Sequence, residues 1–221
     1  MDARDPVVDL LGQGRWFGGL SPALQRQIVE RSTIERFEPG EFLIEEGTSP
    51  PGMYAVLEGR VRVRRRLPDG SDITLHVGGR GFWVGEYGLV SGKPTIGSTV
   101  ADTRVRALFL STTAFERIVD DEPMHCRAFM ALVLERYRRV FGLVAELQGL
   151  PSEERLRRRL LNMASMWRDD LPVSEPVAIP LSQVELARML GLSRQRLSTL
   201  LKRLQAQGTI EVGFRSIRVL G

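Results

Sequence analysis

Between Pro180 and Lys202 the chain reads PLSQVELARMLGLSRQRLSTLLK, a pattern that few folds accommodate. Leu181, Val184, Leu186, Ala187 and Leu190 recur at three- and four-residue intervals, the period of a helix with one buried stripe. Gly191 follows, a residue that takes the positive φ of a sharp turn at little steric cost, with Leu192 placed to plug the corner. Ser193 stands at the N-cap of a second helix running through Leu197, Leu200, Leu201 and Leu204. Its other face carries Arg194, Gln195, Arg196, Ser198, Thr199 and Lys202. A helical hairpin whose second member keeps a bare polar face can dock in the major groove of DNA, where side chains near the helix N-terminus reach base edges and flanking cations hold phosphates. The plainer alternative is a surface hairpin with a solvated charged face. Against it stands GTIEVGFRSIRVLG, which reads as two alternating strands about a turn at Gly213 to Ser216, a wing with Arg215 at its tip for backbone contact.

The remainder of the 221 residues suits two domains, each with its own core. Residues 16–32 read as a small helix in which Ser21 caps, Pro22 takes the first turn, and Leu24, Ile28 and Val29 form the stripe. From Ile34 to Leu110 the period falls to two. Short runs (IERF, EFLIEE, MYAVLEG, RVRVRRRL, DITLHVG, STVADT, RVRALFL) alternate with Gly, Pro and Asp, and PDG at Pro68 to Gly70 is a hairpin turn. Many short strands at this spacing predict a sandwich or rolled barrel. Helical period returns at Thr113 to Asp120 and in a long segment from about Pro123 to Leu150. There Val133, Val140 and Leu147 are seven apart, and Phe129, Leu143 and Leu150 fall on the matching d positions of a coiled-coil seam, a row that Arg136 interrupts. Gly149 and Pro151 end this helix, and Ser152 with Glu153 and Glu154 opens the next, which predicts a hinge at Leu150 to Ser152. In that next helix Leu156, Leu160, Leu161 and Met163 form the buried side, while the RLRRR run at 155–159 is either solvated or faces phosphate.

The net charge of +4 permits nucleic-acid binding without demonstrating it. Cys126 is the one cysteine, which excludes a disulfide or an all-cysteine metal centre within the chain and suits the reducing cytoplasm, the expected location. The opening MDARDPVVDLLGQG is acidic, and no run approaches the ~20 apolar residues of a membrane span, so neither export nor membrane insertion is expected.

Small helix, β-roll, long helix and winged helix-turn-helix together resemble the cyclic-AMP receptor/fumarate-nitrate regulator (CRP/FNR) family of bacterial transcription factors over almost the whole chain. Three stretches carry the resemblance: FEPGEFLIEEGTSPPGMYAVLEGRVRV from Phe37 to Val63, GFWVGEYGLVSGKPTIGSTVADT from Gly81 to Thr103, and the helix-turn-helix. The resemblance implies an α+β fold: an N-terminal β-roll of the cyclic-nucleotide-binding, jelly-roll kind over residues 1–122, a dimerisation helix over 123–150, and a winged helix-turn-helix over 151–221.

Family features carry over unevenly. In cyclic-AMP-binding members the phosphate cassette begins Gly-Glu, the carboxylate holding the ribose, and ends in Arg-Ser or Arg-Thr, which hold the cyclic phosphate. Gly85 and Glu86 match the beginning, but Ile96 and Gly97 stand at the end, and an apolar side chain cannot replace the charge-assisted partner of an anion. The neighbouring Lys93 could supply the charge only from a shifted loop. Val140 and Phe141 replace the two hydroxyl residues that touch adenine. Both departures point away from cyclic AMP. What remains is a different effector in a pocket formed by Phe82, Trp83, Gly85, Glu86, Tyr87 and Phe141, or a roll that acts as a rigid scaffold with a degenerate pocket. Taken singly, each aromatic is ordinary core. His76 and His125 stand outside any ligand cluster, which argues against haem, and Cys126 alone cannot hold an iron–sulfur cluster. The effector or cofactor is therefore unknown from sequence.

The expected function is a homodimeric transcription regulator on a nearly palindromic double-stranded operator, with RNA polymerase as a further partner if it activates. Arg194 is expected to read guanine. Gln195 and Thr199, which replace the family's glutamate and arginine, alter the half-site. Ser198 is assigned to a base edge, and Arg196, Lys202 and Arg215 to the backbone. No enzymatic activity is expected. A cupin-type enzyme would need several histidines and a carboxylate on one metal, and the two histidines here are far apart in sequence. A module that regulates a partner protein leaves the winged helix-turn-helix unused.

Overall fold

The structure, a computed structural model, describes residues 6–49, 51–167 and 176–220, with side chains omitted at 165–167. The first five residues of the acidic opening stretch and Gly221 lie outside this set. Two compact units divide between Arg138 and Arg139.

The first unit opens with α1 (Pro6–Gly12), α2 (Arg15–Gly18) and α3 (Pro22–Glu30). Of these, α3 starts as its sequence indicates: Ser21 Oγ accepts from Leu24 N–H, and Pro22 occupies the first turn, where a missing donor costs nothing. The strands are β1 (Thr33–Phe37), β2 (Phe42–Ile44), β3 (Gly52–Glu58), β4 (Val61–Arg66), β5 (Asp72–Gly78), β6 (Trp83–Val84), β7 (Ser98–Ala101) and β8 (Val105–Ser111), with the short helix α4 (Glu86–Ser91) between β6 and β7. They form two antiparallel sheets, ordered β1-β8-β3-β6 and β2-β7-β4-β5. The predicted hairpin turn links β4 to β5: Leu67 N–H bonds Ser71 O, and Gly70 takes φ +80.

Alternation along β3 assigns its two faces. Tyr54 and Val56 enter the roll core with Leu43, Ile44, Val61, Ala101, Val105 and Ala107. Met53, Ala55 and Leu57 face a second core that includes Leu11, Phe17, Leu24, Ile28, Phe115 and Phe129. That second core is covered by α1, α2, α3, α5 (Thr112–Asp121) and the start of the long helix α6 (Cys126–Gly149), which follows a single 3-10 turn at Pro123–His125. At the rim, Asp102 accepts from Arg62 Nε at 2.5 Å and Arg60 Nε at 2.7 Å. Burial alone would raise its pKa, but the hydrogen bonds from these two guanidiniums outweigh it and hold the carboxyl below the usual carboxylate range.

The row assigned to the coiled-coil seam faces two ways. Phe129 is 0 % exposed, its ring 4.8 Å from Phe115 and 5.6 Å from Trp16, so it is a core residue and not a seam residue. Leu143 and Leu150 are half-buried. Val140 and Leu147 are exposed, Val133 is half-exposed, and Met130, Tyr137 and Val144 are exposed one position beyond the predicted d row. The apolar stripe is therefore 130, 133, 137, 140, 144 and 147, with the required three- and four-residue steps. The interruption at Arg136 has the same cause, since its row points into the protein.

The second unit contains α7 (Ser152–Trp167), β9 (Val177–Ile179), α8 (Gln183–Leu190), α9 (Arg194–Ala206), β10 (Ile210–Gly213) and β11 (Ser216–Val219). Its sheet has the order β10-β11-β9. Strand β9, three residues between Pro176 and Pro180, is too short for a periodicity to announce it, and pairs Ile179 with Ile217. Leu156, Leu160 and Met163 of α7 are buried, as are Leu186 and Leu190 of α8 and Leu197, Leu200, Leu201 and Leu204 of α9.

Candidate nucleic-acid interface and roll site

The hairpin of α8 and α9 is built by its caps. Ser182 Oγ accepts from Glu185 N–H at 3.2 Å while Glu185 Oε2 accepts from Ser182 N–H at 2.9 Å, a reciprocal capping box. Gly191 ends α8 at φ +63, and Leu192 N–H reaches back to Ala187 O at 2.9 Å. Ser193 Oγ then accepts from Arg196 N–H at 3.2 Å and starts α9. With four leucines buried on one side, the rotation of α9 is fixed and its polar side faces out.

On that face Arg194, Gln195 and Lys202 are exposed, and their side chains make no hydrogen bond among the described residues. A guanidinium at the first turn and an ammonium two turns later are therefore available for a ligand, the arrangement needed for a base contact flanked by a phosphate contact. Three other assigned residues are partly engaged. Arg196 donates to Ser152 Oγ at 3.2 Å, Thr199 Oγ1 donates to Gln195 O at 3.1 Å so that its methyl is the outward group, and Ser198 is half-buried. Ser198, Lys202 and Gln205 of α9, Gln183 of α8 and Val212 of β10 line a groove of about 490 Å³ between recognition helix and wing.

Three guanidiniums of the RLRRR run are already engaged within the second unit. Arg157 and Arg158 pair with Glu154 at 2.9 and 2.8 Å, and Arg155 donates to Leu147 O at 3.0 Å and to Leu190 O at 3.5 Å. Arg159 is half-buried, and desolvation lowers its pKa. The wing turns at Phe214 and Arg215, between the paired Gly213 and Ser216; Arg215 is exposed at the tip with φ +50. Sequence reasoning passed over Phe214, although it is 94 % exposed.

In the roll, strand alternation separates two of the expected pocket residues. Trp83 turns to the helix-covered core, 4.9 Å from Trp16 and stacked at 5.6 Å on Phe17, so it does not line the roll. Phe82 turns inward onto β5. Its ring lies 4.8 Å from that of His76, and a Cβ on Gly78 would meet it at 2.2 Å, so Gly78 is the clearance that seats it. The guanidinium of Arg136 sits 4.8 Å over the same ring. Arg136 also donates to Glu86 Oε1 at 3.2 Å and to Trp83 O at 2.8 Å. The carboxylate expected to hold a ribose is thus buried and already paired. Gly85, at φ +102, makes the turn that presents it. Tyr87 is exposed, and Phe141, in the second unit, is 64 % exposed.

At the end of the cassette Ile96 is exposed, and its carbonyl accepts from Arg65 Nη1 at 3.4 Å. A Cβ on Gly97 would approach Arg64 O at 2.8 Å. Strand β4 runs close at that point, which favours glycine over the hydroxyl residue of the family pattern. Lys93 is exposed. His125 is buried with Nε2 3.3 Å from Glu122 Oε2, and no group of three or more potential metal ligands occurs among the described residues.

The chain matches the family model of a cyclic nucleotide-binding domain over residues 34–122 and that of a Crp-like helix-turn-helix domain over residues 154–221. It is 24 % identical over 211 residues to a CRP-like cAMP-activated global transcriptional regulator of Mycobacterium tuberculosis, covering 96 % of this chain and 94 % of the relative. Among solved structures, FixK2 of Bradyrhizobium japonicum superposes with TM-score 0.72 at 22 % identity over 86 % of this chain and 93 % of that one. The c-di-GMP responsive global regulator CLP of Xanthomonas campestris superposes with TM-score 0.69 at 20 % identity over 91 % and 100 %. With a β-roll, a long helix and a Crp-like helix-turn-helix in one chain, this protein belongs to the CRP/FNR family of transcription regulators, not to the enzymes that share a jelly roll.

Proposed function

We propose that the protein is a homodimer that binds a nearly palindromic operator through two copies of α9, and that its effector, where it has one, is not cyclic AMP. The observation that carries the DNA reading is the exposed face of α9, where the side chains of Arg194, Gln195 and Lys202 lack partners among the described residues while Leu197, Leu200, Leu201 and Leu204 are buried. Buried leucines fix which way those groups point, and unpaired donors on a preorganised helix lose little entropy on meeting DNA. The apolar stripe on α6 supports the dimer: Met130, Tyr137, Val140, Val144 and Leu147 are exposed at coiled-coil spacing, which a two-fold partner would cover. Arg194 reads guanine, Gln195 and the Thr199 methyl set a half-site different from that of members with glutamate and arginine, and Arg196, Lys202 and Arg215 hold phosphates. RNA polymerase is a partner if the regulator activates.

The roll supports an effector other than cyclic AMP, or none. Position 96 carries isoleucine, Glu86 is bound to Arg136, and the Phe82 ring packs against both His76 and Arg136. A cyclic phosphate would find no guanidinium from the cassette, and a ribose would have to displace Arg136 from Glu86. Titration of cyclic AMP and cyclic GMP against thermal unfolding tests this directly. Neither should raise Tm at micromolar concentration, whereas a ligand present at ~100 times its Kd would add ~2.7 kcal/mol. Stabilisation of that size by either nucleotide would refute the assignment.

A further inference from the structure

Of the large apolar side chains exposed among the described residues of the second unit, Val140, Phe141, Val144 and Leu147 lie on α6; Phe214 alone stands apart, on the wing tip and 94 % exposed. A turn needs no phenylalanine. Its companion is equally unfavourable locally: Arg215, at φ +50, is the one non-glycine residue with positive φ among the described residues, at a position where glycine would be unstrained. The two-residue tip thus holds an aromatic ring in water beside a strained arginine, and neither choice helps the isolated wing.

We infer that Phe214 is an apolar wedge that enters the minor groove beside each half-site, against the deoxyribose walls and the edge of one base step. The inference rests on the reading that α9 lies in the major groove. Val212 lines the groove opposite Ser198 and Lys202 of α9, so the wing strand flanks the exposed face of that helix. With α9 in the major groove, this channel receives the sugar–phosphate ridge, and Lys202 meets its phosphates. Phe214 lies two residues beyond Val212, ~7 Å at the rise of a strand, on the far side of that ridge. The next surface there is the minor groove. Charge agrees: Arg218 is tied to Glu211 across the wing at 3.1 Å, while Arg215 makes no hydrogen bond or ion pair among the described residues and remains to neutralise phosphate beside the ring. Apolar side chains that enter a minor groove lever open flexible pyrimidine–purine steps, so such a step is the expected neighbour.

The test uses the full-length protein and an operator selected from random DNA, with Phe214→Ala, Phe214→Leu and Arg215→Ala compared by affinity, salt dependence and hydroxyl-radical footprint. Phe214→Ala should weaken binding ~10-fold with an unchanged salt slope, because an apolar contact releases no counterions. It should also lose the minor-groove protection flanking each half-site. Phe214→Leu should retain most of the affinity, and Arg215→Ala should lower the salt slope by ~1 per protomer. Wild-type affinity and footprint in Phe214→Ala would overturn the inference. So would unaltered DNA binding with reduced transcription in a reconstituted reaction, which would assign the ring to a protein partner. Absence of operator binding by the wild type would overturn the helix-turn-helix reading as well, and is distinguishable because every variant would then behave alike.

Discussion

Val140 offers a direct test of the apolar stripe on α6. It is 58 % exposed in the single chain, so truncation removes little from the fold and much from any two-fold interface along the helix. Valine to alanine deletes two carbons, worth ~0.8 kcal/mol each when fully covered. The two-fold doubles the loss to ~3 kcal/mol, about two decades in the dimer dissociation constant at ~1.4 kcal/mol per decade. Sedimentation velocity across a concentration series, with far-UV circular dichroism to show that the helix is intact, measures this directly. The control is Leu143→Ala, on the half-buried row of the same helix, which should lower stability and leave the dissociation constant nearly unchanged. Equal dimer affinity for wild type and Val140→Ala would refute the placement of the seam, and a loss confined to Leu143→Ala would restore the d row.

Arg194→Ala should cost ~1–3 kcal/mol per half-site, ~2–6 kcal/mol on a two-site operator, and relax preference at one base pair, while Lys202→Ala weakens operator and random DNA alike; competition binding at two salt concentrations separates them. Gly85→Ala adds a Cβ 2.6 Å from Gly52 O at φ +102, whereas Gly92→Ala, at φ +64, meets nothing within 4 Å. Thermal unfolding should show ~2–5 kcal/mol lost at Gly85 and only ~1–2 kcal/mol at Gly92. Asp102 is held below the usual carboxylate pKa, so it contributes stability above its unfolded value of ~3.9, lost as pH falls through the lower folded value. Urea unfolding between pH ~5 and ~2 should therefore steepen for the wild type relative to Asp102→Asn, which is also weaker at neutral pH because Arg60 and Arg62 then face each other.

The helix-turn-helix was legible because local chemistry specifies it: Ser182, Gly191 and Ser193 each set a cap, and their effects do not depend on distant residues. Seven of the eight strands of the roll were legible for the same reason, through alternation and glycine turns; the two-residue β6 (Trp83–Val84) was too short to announce itself. What depended on which neighbour covers a face was not. Helix α6 is apolar over a wide arc, and a seven-residue period alone cannot say which of two adjacent rows faces the protein itself; Phe129 and Arg136 settle it by packing on Trp16 and pairing with Glu86. Phe82 and Trp83 looked equivalent as aromatics, yet consecutive residues in extended backbone at the start of β6 face opposite cores. Helices α1 and α2 and strand β9 were too short for a period to emerge. Phe214 carried a signal, an aromatic residue inside a wing turn, but exposure was needed to give it meaning.

Selection of bound duplexes from a random pool by the full-length protein tests the proposed function most directly. An inverted repeat should emerge, with a guanine contacted from each Arg194 and half-sites one helical turn apart, ~10–10.5 base pairs centre to centre or a multiple of it. Recovery of no enriched motif, or of a single unrepeated half-site bound by one chain, would contradict a dimer that reads DNA through two copies of α9.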